Sequence, residues 1–260
     1  MRTVSLLTEL ESIGPSIVCL TGGGGKTTLL YALGEDAAAA GNKVLCTTTT
    51  KMRRPDFMPR LPTAFEADPA ALVLPSGGAM FAARRSPPGG DPDKVYGYSA
   101  AEVDALAERG LASWIFVEAD GAAGRPIKAP AEHEPVIPAG TAVVIGVIGL
   151  SCLSQTCTPE FVFRMERFAA VTGLAPGASI TPEAVATLIL HSNGLFKNSP
   201  DASVRLLFCN QSDLPGAVEA GNAIAKAVFS RNNSFLMAVY LGAARKERLQ
   251  CRKLIPGQPA

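Results

Sequence analysis

The sequence has no excess of charge of either sign. Its 24 Lys and Arg face 23 Asp and Glu across 260 residues, giving a formal net charge of +1. A chain without cationic excess has no electrostatic reason to hold nucleic acid or an anionic membrane surface, and neither is expected as a partner. Long apolar runs are also missing. The longest, from about Ala142 to Leu150, falls well short of the ~20 residues a membrane-spanning helix needs and reads as a buried strand. The short apolar run near the N-terminus is followed by Glu9 and Glu11, which a secretory leader would not carry. Export is therefore not expected, and the chain reads as cytoplasmic.

Six cysteines occur, but none forms a C-x-x-C pair, and the spacing of Cys152 and Cys157 fits neither zinc nor redox sites. Cys19, Cys46 and Cys209 each end an apolar run, where a thiol behaves as a small hydrophobe. All six are expected as reduced thiols without metal, as in a reducing cytosol. There is no internal repeat. The 25 Gly and 20 Pro are scattered, which describes a loop-rich globular chain rather than a low-complexity one.

Hydrophobic residues make up 47% of the chain, enough for a sizeable core, and the length suits one large α/β domain. We read residues 1–245 as that domain and 246–260 as a frayed tail. Apolar, β-branched runs predict strands near Ser16–Leu20, Lys43–Thr47, Trp114–Glu118, Thr141–Ile148, Val204–Cys209 and Phe235–Tyr240. Several are apolar at every position, as strands covered on both faces are. Helices are predicted after the Gly-rich loop through Ala40, from Ser99 with Glu102 as capping box, from Thr158-Pro159-Glu160, from Thr181-Pro182-Glu183, and over about Pro215–Ser230. This alternation argues a doubly wound, mainly parallel sheet with helices on both faces. The Pro- and Gly-rich stretch 53–93 reads as a loop-rich excursion with a short hairpin, Ala71–Leu74 against Met80–Ala83.

The first chemical signal is Thr21-Gly22-Gly23-Gly24-Gly25-Lys26-Thr27-Thr28, set between a strand and a helix. Glycines let the backbone curl so that N–H groups point at phosphate oxygens, and the helix start adds partial positive charge. Lys26 would reach the β and γ phosphates of ATP or GTP, and the Thr27 hydroxyl would ligate Mg²⁺. The strict G-x-x-x-x-G-K-[ST] spacing is not met, because Leu20 stands where the first Gly would be. Shortened loops ending G-K-T-T, as in Mur-type ligases, look like this one.

The second signal is the strand Trp114–Glu118 running into Ala119-Asp120-Gly121. Glu118 and Asp120 are two apart and point the same way on an extended chain. One would hold Mg²⁺ and the other orient or activate a nucleophile, with Asp120 nearer the metal. Thr48, Thr49, Thr50 and Lys51 follow a strand and are expected to face the ligand crevice. Arg125 and Lys128 lie in a Gly-rich loop beside the metal site, where cations would stabilise phosphate or an anionic substrate, and His133 could relay a proton. Asn210-Gln211-Ser212-Asp213, after a late strand, looks like the guanine-reading N-K-x-D motif with Gln in place of Lys. Asp213 would equally serve as the cap of the next helix.

Taken together, TGGGGKTTLL, TTTTKM, VEADGAAGRPIKAPAEHEPVIP, FVFRMERF and LLFCNQSD resemble the YqeC-type family of accessory proteins of selenium-dependent molybdenum hydroxylases. The resemblance runs from Thr21 to Asp213. It implies a P-loop NTPase-like protein that helps mature a selenium-containing molybdenum cofactor or its enzyme, so a molybdenum hydroxylase or its maturation proteins are the implied partners. After the strand at Thr141–Gly149 the chain reads LSCLSQTCTPE, where the family pattern leads us to expect a Gly-Lys-Pro-like turn. Three functions share the loop: hydrolysis of the triphosphate, kinase- or ligase-type transfer to a small molecule, and non-catalytic nucleotide-gated carriage of a cofactor.

Overall fold

The computed structural model describes residues 3–14, 16–54, 61–75, 77–232, 234–244 and 249–256. In chain order the first half contains β1 (Thr3–Ser5), α1 (Leu6–Glu11), β2 (Ile17–Gly22), α2 (Lys26–Ala39), β3 (Lys43–Thr48), β4 (Lys51–Arg53), β5 (Thr63–Phe65), β6 (Gly78–Arg85), β7 (Lys94–Tyr96), α3 (Ala100–Glu108) and β8 (Trp114–Glu118). The second contains β9 (Ile127–Lys128), β10 (Thr141–Gly149), β11 (Val162–Phe163), α4 (Met165–Thr172), α5 (Pro182–Leu190), β12 (Val204–Asn210), α6 (Ala217–Arg231), β13 (Ala238–Gly242) and β14 (Gln250–Leu254).

The chain is a mixed α/β protein built on one large, mostly parallel sheet, whose strand order is β1-β14-β13-β12-β10-β2-β8-β3-β6-β7-β4. Its central seven strands, β13 to β6, pair in parallel. The apolar runs are continuous because both faces are buried. Val18 and Leu20 of β2 pack into one cluster with α1 and α2, while Ile17 and Cys19 face the other side with α3. Likewise Leu206 and Phe208 of β12 point one way, and Leu207 and Cys209 point toward α5 and α6. Among the described residues, no helix is long and apolar enough to cross a membrane.

Several expectations fail for identifiable reasons. The Thr158 signature starts a single turn, with Phe161 and Val162 N–H both donating to the Thr158 carbonyl. Val162 and Phe163 then pair with Ile127 and Lys128, so strand pairing replaces the helix until Met165. The hairpin at 71–83 does not form: Pro69–Ala71 is a 3-10 turn, and β6 joins the main sheet beside β3, placing Ala79 and Phe81 in the cluster under α2. The tail is not frayed at residues 250–254, which pair antiparallel with both β13 and β1. Cys251 and Leu254 are buried there, and that burial holds the strand in place. Residues 55–60 of the excursion, and 245–248 and 257–260 of the expected tail, lie outside the described residues.

Candidate functional site

The central strand β2 has β8 on one side and β10 on the other. The chain leaves β2 toward β3 and β8, whereas it leaves β10 toward β12, so a crevice opens at the carboxyl ends of these strands. The Gly-rich loop fills this switch point. Its glycines are needed for close approach as well as curvature. A Cβ on Gly24, whose φ is +76°, would stand 2.1 Å from the Gly149 nitrogen.

The loop's amides divide into two sets, which the sequence does not show. Gly22 N–H donates to the Asp120 carboxylate (3.1 Å), Gly23 N–H to the Val147 carbonyl (2.9 Å) and Gly24 N–H to the Arg125 carbonyl (2.9 Å). These three are therefore not aimed at a phosphate as expected. The first bond of α2 runs from Leu29 N–H to the Gly25 carbonyl. The amides of Lys26, Thr27 and Thr28 precede that bond and are left for an anion.

Lys26 is buried and folded back onto its own loop. Its Nζ donates to the Gly22 carbonyl at 2.6 Å and lies 3.3 Å from Asp120 and 3.7 Å from Glu118. Burial pulls its ammonium down, but Asp120 and Glu118 outweigh burial and hold it above the ordinary lysine value. Burial pushes the Glu118 carboxyl above its usual range, against Lys26 and the Thr27 hydroxyl. Glu118 and Asp120 converge on Lys26 but differ in their other partners. Thr27 Oγ1 donates to Glu118 Oε2 at 2.7 Å, whereas Asp120 is held by Gly22, Lys26 and Lys128. Glu118, not Asp120, is the carboxylate beside the Thr27 hydroxyl.

Lys128 is 1% exposed, sitting behind Asp120 (3.0 Å) and Glu134 (2.5 Å) and donating to the Gly121 carbonyl. It cannot reach a substrate as expected, because two buried carboxylates hold it. Glu134 in turn receives two hydrogen bonds from Arg164, at 2.5 and 2.9 Å. His133 is not brought to the site either. The turn closed by Glu134 N–H to the Ala131 carbonyl directs Glu134 inward and leaves His133 exposed. The threonines at the end of β3 also serve the scaffold: Thr48 Oγ1 donates to the Glu118 carbonyl and Thr49 Oγ1 to the Val136 carbonyl. Sequence reasoning missed Glu134 and Arg164 as a pair, although both lie in the motif stretches quoted above.

Burial would raise the Glu134 carboxyl, but the Arg164 hydrogen bonds and the Lys128 charge hold it down at about 2. A folded value below the unfolded one stabilises above the unfolded pKa, and that stabilisation is lost as pH falls through the folded one. Between roughly pH 4.3 and pH 2, unfolding free energy should fall more steeply in the parent than in Glu134→Gln. Equal slopes in acid titrations followed by denaturant unfolding would remove Glu134 from the account.

Two cavities flank the loop and share Gly24, Gly25 and Thr28. One is also lined by Lys26, Thr27, Lys51, Glu118 and Arg125. The other, of about 390 Å³, is lined by Ser151, Asn210, Asp213 and Ala244 among others. Asn210 is used by the scaffold: its amide donates to the Gly24 carbonyl at 2.8 Å and accepts from Ala244 N–H at 3.0 Å. Asp213 is exposed at this cavity and does not cap α6, whose N-cap is Gly216. All six cysteines are buried, and burial raises the Cys152 thiol to about 12.

No solved structure matches this chain. A protein of Escherichia coli (strain K12) described as "Uncharacterized protein YqeC" is 35% identical over 164 residues, spanning 62% of this chain and 62% of that relative's length. Residues 18–166, more than half of the chain and the segment from β2 to the start of α4, match the family described as "YqeC protein". The chain therefore belongs to the YqeC family.

Proposed function

We propose that this chain is a Mg²⁺-dependent nucleoside triphosphate-binding protein of P-loop type, and an NTPase. The observation that carries the reading is the arrangement at the start of α2. A Gly-rich loop ends in a buried Lys26 between two carboxylates, and Thr27 is hydrogen-bonded to one of them, Glu118. Lys26 would exchange the Gly22 carbonyl for phosphate oxygens, and the amides of Lys26–Thr28 would hold the phosphates from the helix end. Thr27 and Glu118 offer hard oxygen donors of the kind Mg²⁺ takes. Bound there, Mg²⁺ would neutralise charge on the β and γ phosphates. Asp120 keeps Gly22 and Lys26 in place and acts as a positioning residue. In the family resemblance, the role is maturation of a selenium-dependent molybdenum hydroxylase or its cofactor. The first test is thermal shift of the protein with ATP or GTP plus Mg²⁺; a ligand bound only by the folded state raises the midpoint. No shift with either nucleotide at millimolar concentration would reject the reading.

The base would occupy the cavity at Asn210 and Asp213. With Asn210 tethering the loop and Asp213 not used as a helix cap, Asp213 is the group available to accept from the guanine N1 and N2 positions. GTP should then displace a fluorescent nucleotide better than ATP by on the order of 30-fold. Asp213→Asn should shift preference toward XTP, because the amide donates where the carboxylate accepted. Equal GTP and ATP affinity in the parent would end the guanine reading and leave the phosphate site intact.

A further inference from the structure

We propose that Arg164 is a positioning residue for the phosphate loop, acting through Glu134, Lys128 and Asp120 to set how firmly Lys26 is held and so how strongly the loop takes a triphosphate. The proposal deepens the nucleotide reading and rests on it for the ligand, though not for the contacts themselves. Cations and carboxylates alternate without a gap. Lys26 lies 3.3 Å from Asp120, Asp120 3.0 Å from Lys128, Lys128 2.5 Å from Glu134, and Glu134 2.5 and 2.9 Å from Arg164. The first four side chains are buried, where charges polarise one another more strongly than in water. Arg164 is the end that meets solvent, at 24% exposure.

Local rules argue against arginine at this position. Its backbone is left-handed, at φ +59° and ψ +57°, a conformation that costs a residue with a Cβ. Arg164 is also the N-cap of α4, yet its side chain makes no capping hydrogen bond there. Glycine or a short polar residue would serve both roles better. A residue kept against two local preferences points to the work of its side chain. The guanidinium forks onto both Glu134 oxygens and lies 4.5 Å from the centre of the Phe163 ring. Strand pairing sets this up, since Phe163 of β11 stands opposite Lys128 of β9. Without the guanidinium, Glu134 draws more on Lys128, and Lys128 then neutralises Asp120 less. Asp120 holds the Lys26 ammonium and the Gly22 N–H more strongly. Lys26 leaves for a phosphate less readily, beside a site made more negative.

The test is Arg164→Gly, because glycine suits the left-handed backbone, with Arg164→Gln as a second variant that keeps part of the stem. Calorimetry with Mg²⁺ and a non-hydrolysable triphosphate should show about tenfold weaker binding in both, the effect of roughly 1.4 kcal/mol, with nucleoside binding within about twofold of the parent. Millimolar guanidinium chloride should restore most of the affinity of Arg164→Gly, and equal sodium chloride should not. In a Glu134→Gln background, Arg164→Gly should change affinity by less than about twofold, since the carboxylate it answers is gone. Triphosphate affinity equal to the parent's would overturn the proposal. So would a loss that guanidinium leaves unrepaired or that persists beside Glu134→Gln. If the parent binds no triphosphate, the nucleotide reading fails by itself and the free protein judges the chain of ions. The Gly22 amide proton should then move downfield in Arg164→Gly, as Asp120 becomes the stronger acceptor, and return with guanidinium. The Gly24 amide, which donates to the Arg125 carbonyl, should stay in place. A Gly22 resonance that does not move would overturn the coupling as well.

Discussion

Lys128→Met should lower the unfolding free energy by about 3 kcal/mol. The ammonium is 1% exposed and lies between Asp120 and Glu134, with the Gly121 carbonyl as a third partner. Methionine keeps most of the stem's packing but leaves two buried carboxylates with less compensation. The loss stays at the low end of what breaking a buried pair costs, because Asp120 keeps Lys26 and Glu134 keeps Arg164. Urea unfolding should show a lower midpoint with an unchanged slope. Adding Glu134→Gln should recover part of the loss, since one stranded charge is then gone. A single variant within 1 kcal/mol of the parent would mean that these buried ions only offset their own desolvation.

Lys26→Ala should weaken triphosphate binding at least 100-fold, about 3 kcal/mol, and leave nucleoside binding nearly unchanged. The ammonium is the one cation held at the loop's centre, and Asp120 and Glu118 keep it charged there. Without it, a triphosphate would meet two carboxylates facing the loop. Folding should suffer less than in the Lys128 variant. Asp120 retains Lys128, and Glu118, already held above its usual range, can take up a proton. Equal triphosphate affinity in variant and parent, measured by calorimetry, would remove the phosphate-loop assignment.

The parts legible in the sequence are those written locally. α2, the capping box at Ser99 and six of the seven central strands, all but β6, follow from contiguous patterns, and each forms within a few residues of its expected bounds. The ion chain from Asp120 through Lys128 and Glu134 to Arg164 was not legible. Its last link joins residues 30 apart, and nothing local marks Glu134 as inward and His133 as outward. Which carboxylate meets Thr27 was not legible for a related reason. Two carboxylates at one strand end look alike in sequence, and only the position of Thr27 on α2, far earlier in the chain, distinguishes them. β14 escaped notice because its five residues, Gln250 to Leu254, bury only Cys251 and Leu254. A short strand with polar residues between its apolar ones carries a weak pattern. Thr158 failed in the opposite direction, since a good cap signature was overridden by pairing with β9.

The Gly-rich loop is fastened before any ligand arrives: Asp120, Val147, Arg125 and Asn210 each hold a different glycine backbone group. The entropy of ordering it is therefore lost during folding rather than during binding. Association should then follow a single exponential in stopped flow, with a rate rising linearly in nucleotide concentration and no slow isomerisation. Amide exchange at Gly23 and Gly24 should already be slow in the free protein, and saturating nucleotide should slow it little further.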